Sequence, residues 1–369
     1  MRKYSIHSMT FPYSNSDSTC RDYCDFSSPV NLTENATHVE HTFISCKWTS
    51  CTGNSGGGIY YQKSDSRATL TIKKGEFYSC EASPNRGGGI YAEGIDTATI
   101  EDCLFYGCIA EAGNDYGGGA IQLWNIQQPF AVERTTFISC ESKNDGGAIS
   151  AAYCPKWHET SIVDSLFIHC TVTNSIGSDG GSLMVWESSA AIGCSNTLFA
   201  NSYSERGGGA VTQYIYTTAN HSPFIHLFSF CFFKNNSAKS HPSNDVFFND
   251  WKPTEPFLHC FSTTIENRIC YYEGNNYHTD KDDWFPYGPL KTTKNLCGGS
   301  DKDCTEILQN SDIAKFCFCT GSYRNKRNYD KYNLSHRLMR ILIIQILLYY
   351  SLKQININLI KTGITIVVI

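Results

Sequence analysis

Short runs of apolar residues, separated by glycine, asparagine, aspartate and serine, recur along residues 39–250. The runs are rich in Ile, Val, Thr, Phe and Tyr, and none shows the 3.6-residue apolar period of a helix over about 11 residues. One stretch, for example, contains the runs 89–92, 97–100 and 104–106 in succession. Runs of this composition, bounded by turn-forming residues, predict β-strands.

The runs belong to an internal repeat that is marked by the motif Phe-x-x-Cys. Five copies start at Phe43, Phe77, Phe105, Phe137 and Phe167 and end at Cys46, Cys80, Cys108, Cys140 and Cys170. Two weaker copies follow, at Phe199-Ala-Asn-Ser202 and Phe233-Lys-Asn-Asn236. Regular spacing of this kind is typical of stacked repeats, in which each repeat contributes one layer of a shared core.

A second motif, Gly-Gly-small-aliphatic, alternates with the first along the chain. Its copies start at Gly56, Gly87, Gly118, Gly146, Gly180 and Gly208, and a weaker version starts at Asn244. The glycine pairs permit a positive φ or a close backbone approach at a corner. A phosphate-binding loop is excluded, because no Gly-Lys-Ser/Thr follows any of the pairs.

A third apolar position lies five residues before each phenylalanine from Phe77 onward, at Ile72, Ile100, Val132, Ile162, Cys194 and Phe228. Each repeat therefore contains three short strands, and most insertions fall between Phe-x-x-Cys and Gly-Gly. A propeller blade would need four strands in about 40 residues, and the leucine and asparagine spacing of a leucine-rich repeat is absent. We predict an all-β fold, a parallel β-helix of about seven coils over residues 39–250.

The paired motifs resemble the repeats of polymorphic outer-membrane proteins, which carry Gly-Gly-Ala-Ile and Phe-x-x-Asn, and similar repeats in surface proteins of parasitic protists. The resemblance covers residues 39–250. The chain departs from it because cysteine replaces the asparagine five times, with Asn236 alone matching, and because no autotransporter barrel follows. The resemblance implies a right-handed β-helix used in surface display and adhesion, and it implies no catalytic residues.

Stacking of the repeats predicts two columns of side chains. The first is an internal aromatic stack of Phe43, Phe77, Phe105, Phe137, Phe167, Phe199 and Phe233. The second is a cysteine ladder of Cys46, Cys80, Cys108, Cys140 and Cys170. Alternation from the phenylalanine would place these cysteines outside, whereas a bend would turn them inward. Buried thiols that fill a corner and disulfides between neighbouring coils both stay open.

Two further series are expected on the outside. Residues one position after the phenylalanine form an apolar strip, a possible interaction surface or a face covered by residues 254–320 or by a partner: Tyr78, Tyr106, Ile138 and Ile168. Residues three positions before it form a solvated corner series of alternating sign: Lys74, Asp102, Arg134, Asp164 and Asn196.

The chain lacks the motifs of the common catalytic and metal centres. Its acids are scattered over loops, at Asp65, Asp96, Asp115, Asp145 and Asp179, and we expect no pair to share a coil position beyond the mixed-sign series. No His-Glu-x-x-His occurs, and the one Gly-x-Ser-x-Gly match, Gly53-Asn54-Ser55-Gly56-Gly57, is part of a Gly-Gly repeat motif and not a strand-to-helix turn. The spacings of Cys297, Cys304, Cys317 and Cys319 do not match a structural zinc site. We therefore predict no catalytic residues, no cofactor and no metal.

The segments that flank the repeat are assigned by composition. Residues 1–38 form an N-terminal cap or a truncated solenoid end, without a recognisable export signal. Residues 251–321 form a cysteine-bearing cap or extension, with disulfides expected if the chain is exported. In residues 322–369 a basic cluster precedes an apolar run at 341–352, which is shorter than the roughly 20 residues of a spanning helix. This tail is a poor transmembrane segment or a gene-model artefact, so membrane association stays open.

Composition narrows the functional classes. The 369 residues include 18 cysteines and 41% hydrophobic residues, which excludes a disordered chain. A net charge of −5 argues against a nucleic-acid partner. Five sequons stand at Asn31, Asn35, Asn220, Asn235 and Asn333. We expect a non-catalytic scaffold, at the cell surface or secreted, for adhesion or display of a protein or glycan partner. A carbohydrate-active β-helix enzyme and an intracellular scaffold are the alternatives.

Overall fold

The structure is a computed structural model that describes residues 4–6, 18–20, 24–32, 39–62, 68–111, 117–128, 130–153, 159–174, 179–186, 191–214, 226–240 and 245–249, and strands at 258–261, 264–265, 269–273 and 276–279. Within these residues every regular element is a β-strand, and the strands stack in parallel sheets as a β-solenoid. The predicted all-β solenoid is therefore confirmed. All described residues lie in the first of the two units into which the chain divides, Met1–Gly298.

The described strands form four sheets, which we number I to IV in the order in which the chain visits them. Sheet I contains β2 (Ser18–Cys20), β5 (Glu40–Ile44), β9 (Thr69–Lys73), β13 (Thr97–Glu101), β17 (Ala131–Glu133), β21 (Glu159–Val163), β25 (Ala191–Ser195), β29 (His226–Ser229) and β33 (Leu258–Phe261). Sheet II contains β1 (Tyr4–Ile6), β3 (Cys24–Phe26), β6 (Lys47–Thr49), β10 (Glu76–Tyr78), β14 (Leu104–Tyr106), β18 (Thr136–Ile138), β22 (Leu166–Ile168), β26 (Leu198–Ala200), β30 (Phe232–Lys234) and β34 (Thr264–Ile265).

Sheet III consists of two-residue strands: β7 (Thr52–Gly53), β11 (Glu81–Ala82), β15 (Ile109–Ala110), β19 (Glu141–Ser142), β23 (Thr171–Val172), β27 (Tyr203–Ser204) and β31 (Ser237–Ala238). Sheet IV contains β4 (Val30–Leu32), β8 (Ile59–Gln62), β12 (Ile90–Glu93), β16 (Ile121–Trp124), β20 (Ile149–Ala152), β24 (Leu183–Trp186), β28 (Val211–Tyr214), β32 (Val246–Asn249), β35 (Ile269–Glu273) and β36 (Asn276–Thr279). Strand β36 is antiparallel to β35 and closes this sheet at one end.

One coil consists of four strands rather than the predicted three, as in β9, β10, β11 and β12. Sheet III was missed because a two-residue strand is too short to show alternation. The number of coils also differs slightly from the predicted seven. Strands β1–β4 before residue 39 and β33–β35 after residue 250 join the same sheets, so the stack extends past both predicted bounds.

The bends between sheets I, II and III are made by single residues in the left-handed conformation. At the I–II corner, Lys74, Asp102 and Arg134 have φ values of 55°, 55° and 48°. Ser79 and Ser139 do the same at the II–III corner, with φ values of 48° and 51°. This conformation costs a non-glycine residue roughly 1–2 kcal/mol. The corner amides offset the cost, because each donates to a carbonyl of the next coil, as Ser79 N does to Tyr106 O at 2.8 Å.

The two glycines of each Gly-Gly pair have different tasks. The first has a positive φ in five of the six pairs, for example 71° at Gly87, and Gly118 is the exception. The second passes so close to the next coil that a Cβ on Gly88 would lie 2.2 Å from the Gly119 carbonyl oxygen. The third residue is small because a phenylalanine ring lies below it. A Cβ on Gly89 would lie 3.1 Å from the ring of Phe105.

Candidate functional site

The phenylalanines of sheet II form a column of parallel rings inside the solenoid. Ring centroids are 4.5 Å apart for Phe77–Phe105, 5.0 Å for Phe105–Phe137, 4.7 Å for Phe137–Phe167, 4.8 Å for Phe167–Phe199 and 4.9 Å for Phe199–Phe233. All six rings are fully buried. The column is therefore part of the core and presents no surface to a ligand.

Phe43 was assigned to this column, and that assignment is wrong. Phe43 lies in sheet I, where it pairs with Ile72. The position next to Phe77 is taken by Trp48, whose ring is 4.3 Å from that of Phe77. Phe43 contacts Trp48 edge-on instead, at 5.6 Å and 69°.

The cysteine ladder shifts by the same five residues at its first coil. Cys51, and not Cys46, stands three residues after Trp48 and begins the column that continues with Cys80, Cys108, Cys140 and Cys170. All five are buried free thiols. The left-handed residue before each of them turns the side chain inward, so the bend decides between the two predicted orientations. Cys46 lies instead at the I–II corner, in the position that Cys103 and Thr135 occupy in later coils.

The apolar strip predicted on the outside of sheet II is only partly exposed. Tyr78, Tyr106 and Ile168 are partly exposed, whereas Ile138 is 3% exposed. The rings of Tyr78 and Tyr106 are 6.3 Å apart, and Lys47 Nζ lies 4.7 Å from the centre of the Tyr78 ring. Toward the C-terminal coils the outward positions are buried, at Leu166, Leu198, Ala200 and Phe232.

The corner series three residues before each phenylalanine includes one strong ion pair. Arg134 Nε donates to Asp102 Oδ1 at 2.7 Å, and the same guanidinium contacts Glu101 and Glu133. These opposite charges lie on neighbouring coils, as the alternating signs predict. Asn196 donates to Asp164 in the next step of the series. The series therefore links neighbouring coils at the surface. Its acids are engaged by other side chains, Asp102 by the Arg134 guanidinium and Asp164 by the Asn196 amide.

A group of aromatic and polar side chains on the outside of sheet IV is a better candidate for a binding surface, because Tyr60, Glu93 and Trp124 are partly exposed, although Tyr91 is only 6% exposed. Tyr60 and Tyr91 are paired across β8 and β12, and their rings stack at 5.6 Å and 12°. Glu93 Oε2 accepts hydrogen bonds from Tyr91 OH at 2.6 Å and from Gln62 Nε2 at 2.7 Å. Tyr60 OH donates in turn to Gln62 Oε1. This network holds two phenol rings, an amide and a carboxylate in fixed orientation across two coils.

The same group continues onto the next two coils through Trp124. Trp124 pairs with Glu93 across β12 and β16. The guanidinium of Arg86 lies 4.7 Å from the centre of the Trp124 ring, and Tyr153 meets that ring edge-on at 4.8 Å. Tyr153 is 39% exposed. We call this set the aromatic–carboxylate face: Tyr60, Gln62, Arg86, Tyr91, Glu93, Trp124 and Tyr153.

Sequence reasoning missed this face although part of its signal was visible. Tyr60 and Tyr91 both stand two residues after the small residue of a Gly-Gly motif, so they occupy the same place in successive repeats. Arg86 stands in the turn before a glycine pair, and its contact with Trp124 of the next coil depends on register. The paired tyrosines could have been found, whereas the cation above the indole could not.

Asp145 and Asp179 correct the expectation that no acids share a coil position. Each directly precedes a Gly-Gly pair, and the two are stacked in neighbouring coils, where Asp179 N donates to Asp145 Oδ1 at 3.3 Å. Asp179 accepts from Gly207 N at 2.7 Å and from Tyr214 OH, and Arg206 Nη1 lies 3.5 Å from it. Asp145 is 4% exposed and Asp179 is fully buried.

Burial decides the chemistry of this acid pair. Loss of solvent, together with the negative charge of Asp179, raises the pKa of Asp145 well above its usual range. Loss of solvent also raises the pKa of Asp179 to about 6, against the opposing effects of Arg206, Tyr214 and the Gly207 amide. Two carboxyl groups with different pKa values are the groups that general acid–base catalysis uses. Here they hydrogen-bond to the protein and are closed to solvent, which is the arrangement of a structural network.

Several predicted features lie outside the described residues. These are the late cysteines Cys297, Cys304, Cys317 and Cys319, the apolar run at 341–352, and the sequons at Asn35, Asn220 and Asn333. Among the residues that the structure describes, no helix is long and apolar enough to cross a membrane.

Comparison of the chain with protein-family models, with curated proteins and with solved structures finds no match. The resemblance to polymorphic outer-membrane-protein repeats therefore stays a prediction from the motifs.

Proposed function

We propose that this protein is a non-catalytic solenoid scaffold, displayed at the cell surface or secreted, that binds a glycan through the aromatic–carboxylate face. The observation that carries the proposal is the geometry around Glu93. Stacked phenol rings, a carboxylate and an amide are held by mutual hydrogen bonds beside the Trp124 indole. Flat aromatic rings pack against the C–H faces of sugars, and oriented carboxylate and amide groups hydrogen-bond to their hydroxyls.

Two further observations support a role in binding. The interior of the solenoid is filled by the phenylalanine column and the aliphatic positions of sheets I and IV, so any partner must use the outside. The paired acids of the described region, Asp145 and Asp179, are buried and engaged in hydrogen bonds. A substrate would have to displace these bonds before it could reach either carboxyl group.

Exposure at the surface of a cell is supported by two side chains that could accept a glycan. Asn31 and Asn235, the two sequon asparagines among the described residues, are both exposed. Asn235 lies at a left-handed corner with φ of 52°, next to a core strand but pointing away from it.

A glycan array followed by titration of the retained sugars tests the proposal. We expect Trp124→Ala to weaken binding at least about tenfold, as loss of a central aromatic contact does at other interfaces. Tyr106→Ala, on the outside of sheet II, is the matched control and should leave binding unchanged. A loss with Tyr106→Ala alone would instead favour the strip of Tyr78, Tyr106, Ile138 and Ile168.

Product analysis on the same sugars separates binding from turnover. A scaffold returns each bound glycan intact after prolonged incubation. Shortened or unsaturated products that vanish in Asp179→Asn would overturn the proposal in favour of a carbohydrate-active enzyme. Absence of any retained glycan would overturn the choice of ligand.

A further inference from the structure

Three cysteines converge at the I–II corner of the first coils. Cys24 and Cys46 occupy the same position in successive coils, because the residues that follow them, Asp25 and Lys47, are paired. Cys20 comes from sheet I, where it pairs with the inward-facing Phe43. The three Sγ atoms all lie within 4.8 Å of one another. Strand register thus brings together sulfurs that stand 4 and 22 residues apart in the sequence.

The surroundings of the three sulfurs are nearly dry. Cys20, Cys24 and Cys46 are 8%, 7% and 1% exposed. The Cys46 thiol donates to the Ile44 carbonyl at 3.4 Å and points toward the Cys20 carbonyl at 3.7 Å. Among the described residues no histidine, carboxylate or fourth cysteine joins the group. The cluster is therefore a three-sulfur site in an apolar corner.

Other corner cysteines of the described chain do not form such a group. At the I–II corner of later coils the equivalent residues include Gly75, Cys103 and Thr135, so cysteines are not consecutive there. At the II–III corner the column from Cys51 to Cys170 has one thiol per coil. A column places each sulfur between two neighbours in a line, and among the cysteines that the structure describes only Cys20, Cys24 and Cys46 close a triangle.

The three sulfurs have two possible covalent states. In the structure Cys20 and Cys24 form a disulfide and Cys46 is a thiol. A dithiol reductant supplies two electrons and two protons, which converts the disulfide into two thiols while the dithiol becomes a disulfide. Reduction therefore yields three thiols at one point of the fold.

We propose that the reduced corner binds one Cu(I) ion through the three cysteine sulfurs. On binding, three S–H bonds break, three metal–sulfur bonds form and three protons leave. Metal–sulfur bonds of about 2.3 Å place trigonal sulfurs about 4 Å apart. The Cys20 and Cys24 sulfurs must therefore separate after reduction, while all three stay within the 4.8 Å over which they are now gathered. Soft thiolates select Cu(I), and three sulfurs complete a trigonal site, whereas structural zinc takes four ligands.

Titration of the full, reduced chain with Cu(I) against a competing chelator, under exclusion of oxygen, tests the site. Cys46→Ser should lower the amount of tightly bound Cu(I) by one equivalent. The matched control is Cys103→Ser, since Cys103 occupies the equivalent corner and its thiol likewise donates to the carbonyl two residues before it, at 3.2 Å. This control should retain the full amount. X-ray absorption should show three sulfur ligands for the ion that Cys46→Ser loses.

Equal stoichiometry in Cys46→Ser, Cys103→Ser and the unmodified chain would overturn the proposal, and so would a sulfur count of two or four. A circular dichroism spectrum of each variant shows whether it is folded. If Cys46→Ser does not fold, Cys24→Ser serves as the second variant with the same expected loss. Because neither variant touches the aromatic–carboxylate face, failure here leaves the proposed glycan binding untouched.

Discussion

The indole of Trp48 lies flat on the ring of Phe77, with centroids 4.3 Å apart and planes 2° from parallel. This contact joins the phenylalanine column of sheet II to the preceding coil, where the ring of Phe26 stacks on the other side of Trp48 at 5.0 Å. Trp48→Ala should destabilise the protein by about 3–5 kcal/mol, because it removes a fully buried ring and leaves a cavity. Urea unfolding followed by circular dichroism measures the loss.

Trp48→Phe separates the contribution of ring stacking from that of the indole N–H group. Among the described residues, Trp48 Nε1 is buried without a hydrogen-bond partner. Phenylalanine keeps the stack and removes this N–H, so we expect a change in unfolding free energy of no more than about 1 kcal/mol in either direction. A loss as large as that of Trp48→Ala would show that the column does not tolerate the smaller ring.

Gly88 and Gly107 offer a test of the two kinds of glycine in the repeat. A Cβ on Gly88 would overlap backbone atoms of Gly119 and Ile109 at 2.2–2.6 Å, so Gly88→Ala should prevent folding or destabilise by more than about 4 kcal/mol. Gly107 has φ of 61°, but a Cβ there meets only Ser79 Oγ at 3.6 Å. Gly107→Ala should therefore cost only the roughly 1–2 kcal/mol of backbone strain. Equal effects of the two substitutions, measured by thermal unfolding, would contradict this assignment.

Asp145 and Asp179 should make stability fall as pH rises. Their folded pKa values lie above the usual value of 3.8, so the folded state binds more protons than the unfolded state from about pH 4 upward. Their stabilising contribution is thus present at low pH and is lost as pH rises through about 6 for Asp179. Asparagine resembles the protonated acid, so Asp145→Asn should stabilise the protein at pH 7.

The measurement is the difference in unfolding free energy between Asp145→Asn and the unmodified chain at pH 4 and at pH 7. The variant should gain more at pH 7 than at pH 4. An equal difference at both pH values would show that Asp145 is ionised in the folded protein.

Cys108 and Cys170 should react with iodoacetamide only when the protein unfolds. Both thiols are fully buried, and burial raises their pKa well above the usual value. Mass spectrometry of peptides labelled at increasing urea concentrations should show adducts that follow the circular dichroism transition. Labelling of the native protein at the rate of a small free thiol would mean that the corner opens locally.

The repeat itself could be read from the sequence because its signal is spread over many coils. Phe77, Phe105 and Phe137 recur with a constant partner five residues earlier, and stacking of equivalent residues then fixes the core. The motif predicts the alignment of any single coil less reliably. Phe43-Ile-Ser-Cys46 matches the Phe-x-x-Cys motif in sequence. The position in sheet II that the motif occupies in later coils is taken instead by Trp48-Thr-Ser-Cys51. The available clue was the constant offset, because an apolar residue, Phe43, stands five residues before Trp48, whereas His38 stands five residues before Phe43.

Side-chain contacts between neighbouring coils were harder to predict from the sequence than the strands that make up each coil. Asp145 and Asp179 share the position before Gly-Gly and could have been paired by alignment of the repeats. The stacking of Arg86 on Trp124 and the meeting of Cys20 with Cys46 depend on where side chains from different sheets converge. Alternation along a strand carries no information on that convergence.

The single-residue corners have a consequence for how the chain can change in length. Because one left-handed residue joins sheet I to II and another joins II to III, no residue can be added there without breaking the stack. The connections on either side of sheet IV differ in length from coil to coil. On one side they range from three residues, between Glu93 and Thr97, to eleven, between Tyr214 and His226. Insertion and deletion are thus confined to the two edges of sheet IV, so new loops can reshape the rim of the surface that carries the aromatic–carboxylate face while the coils behind it keep their dimensions.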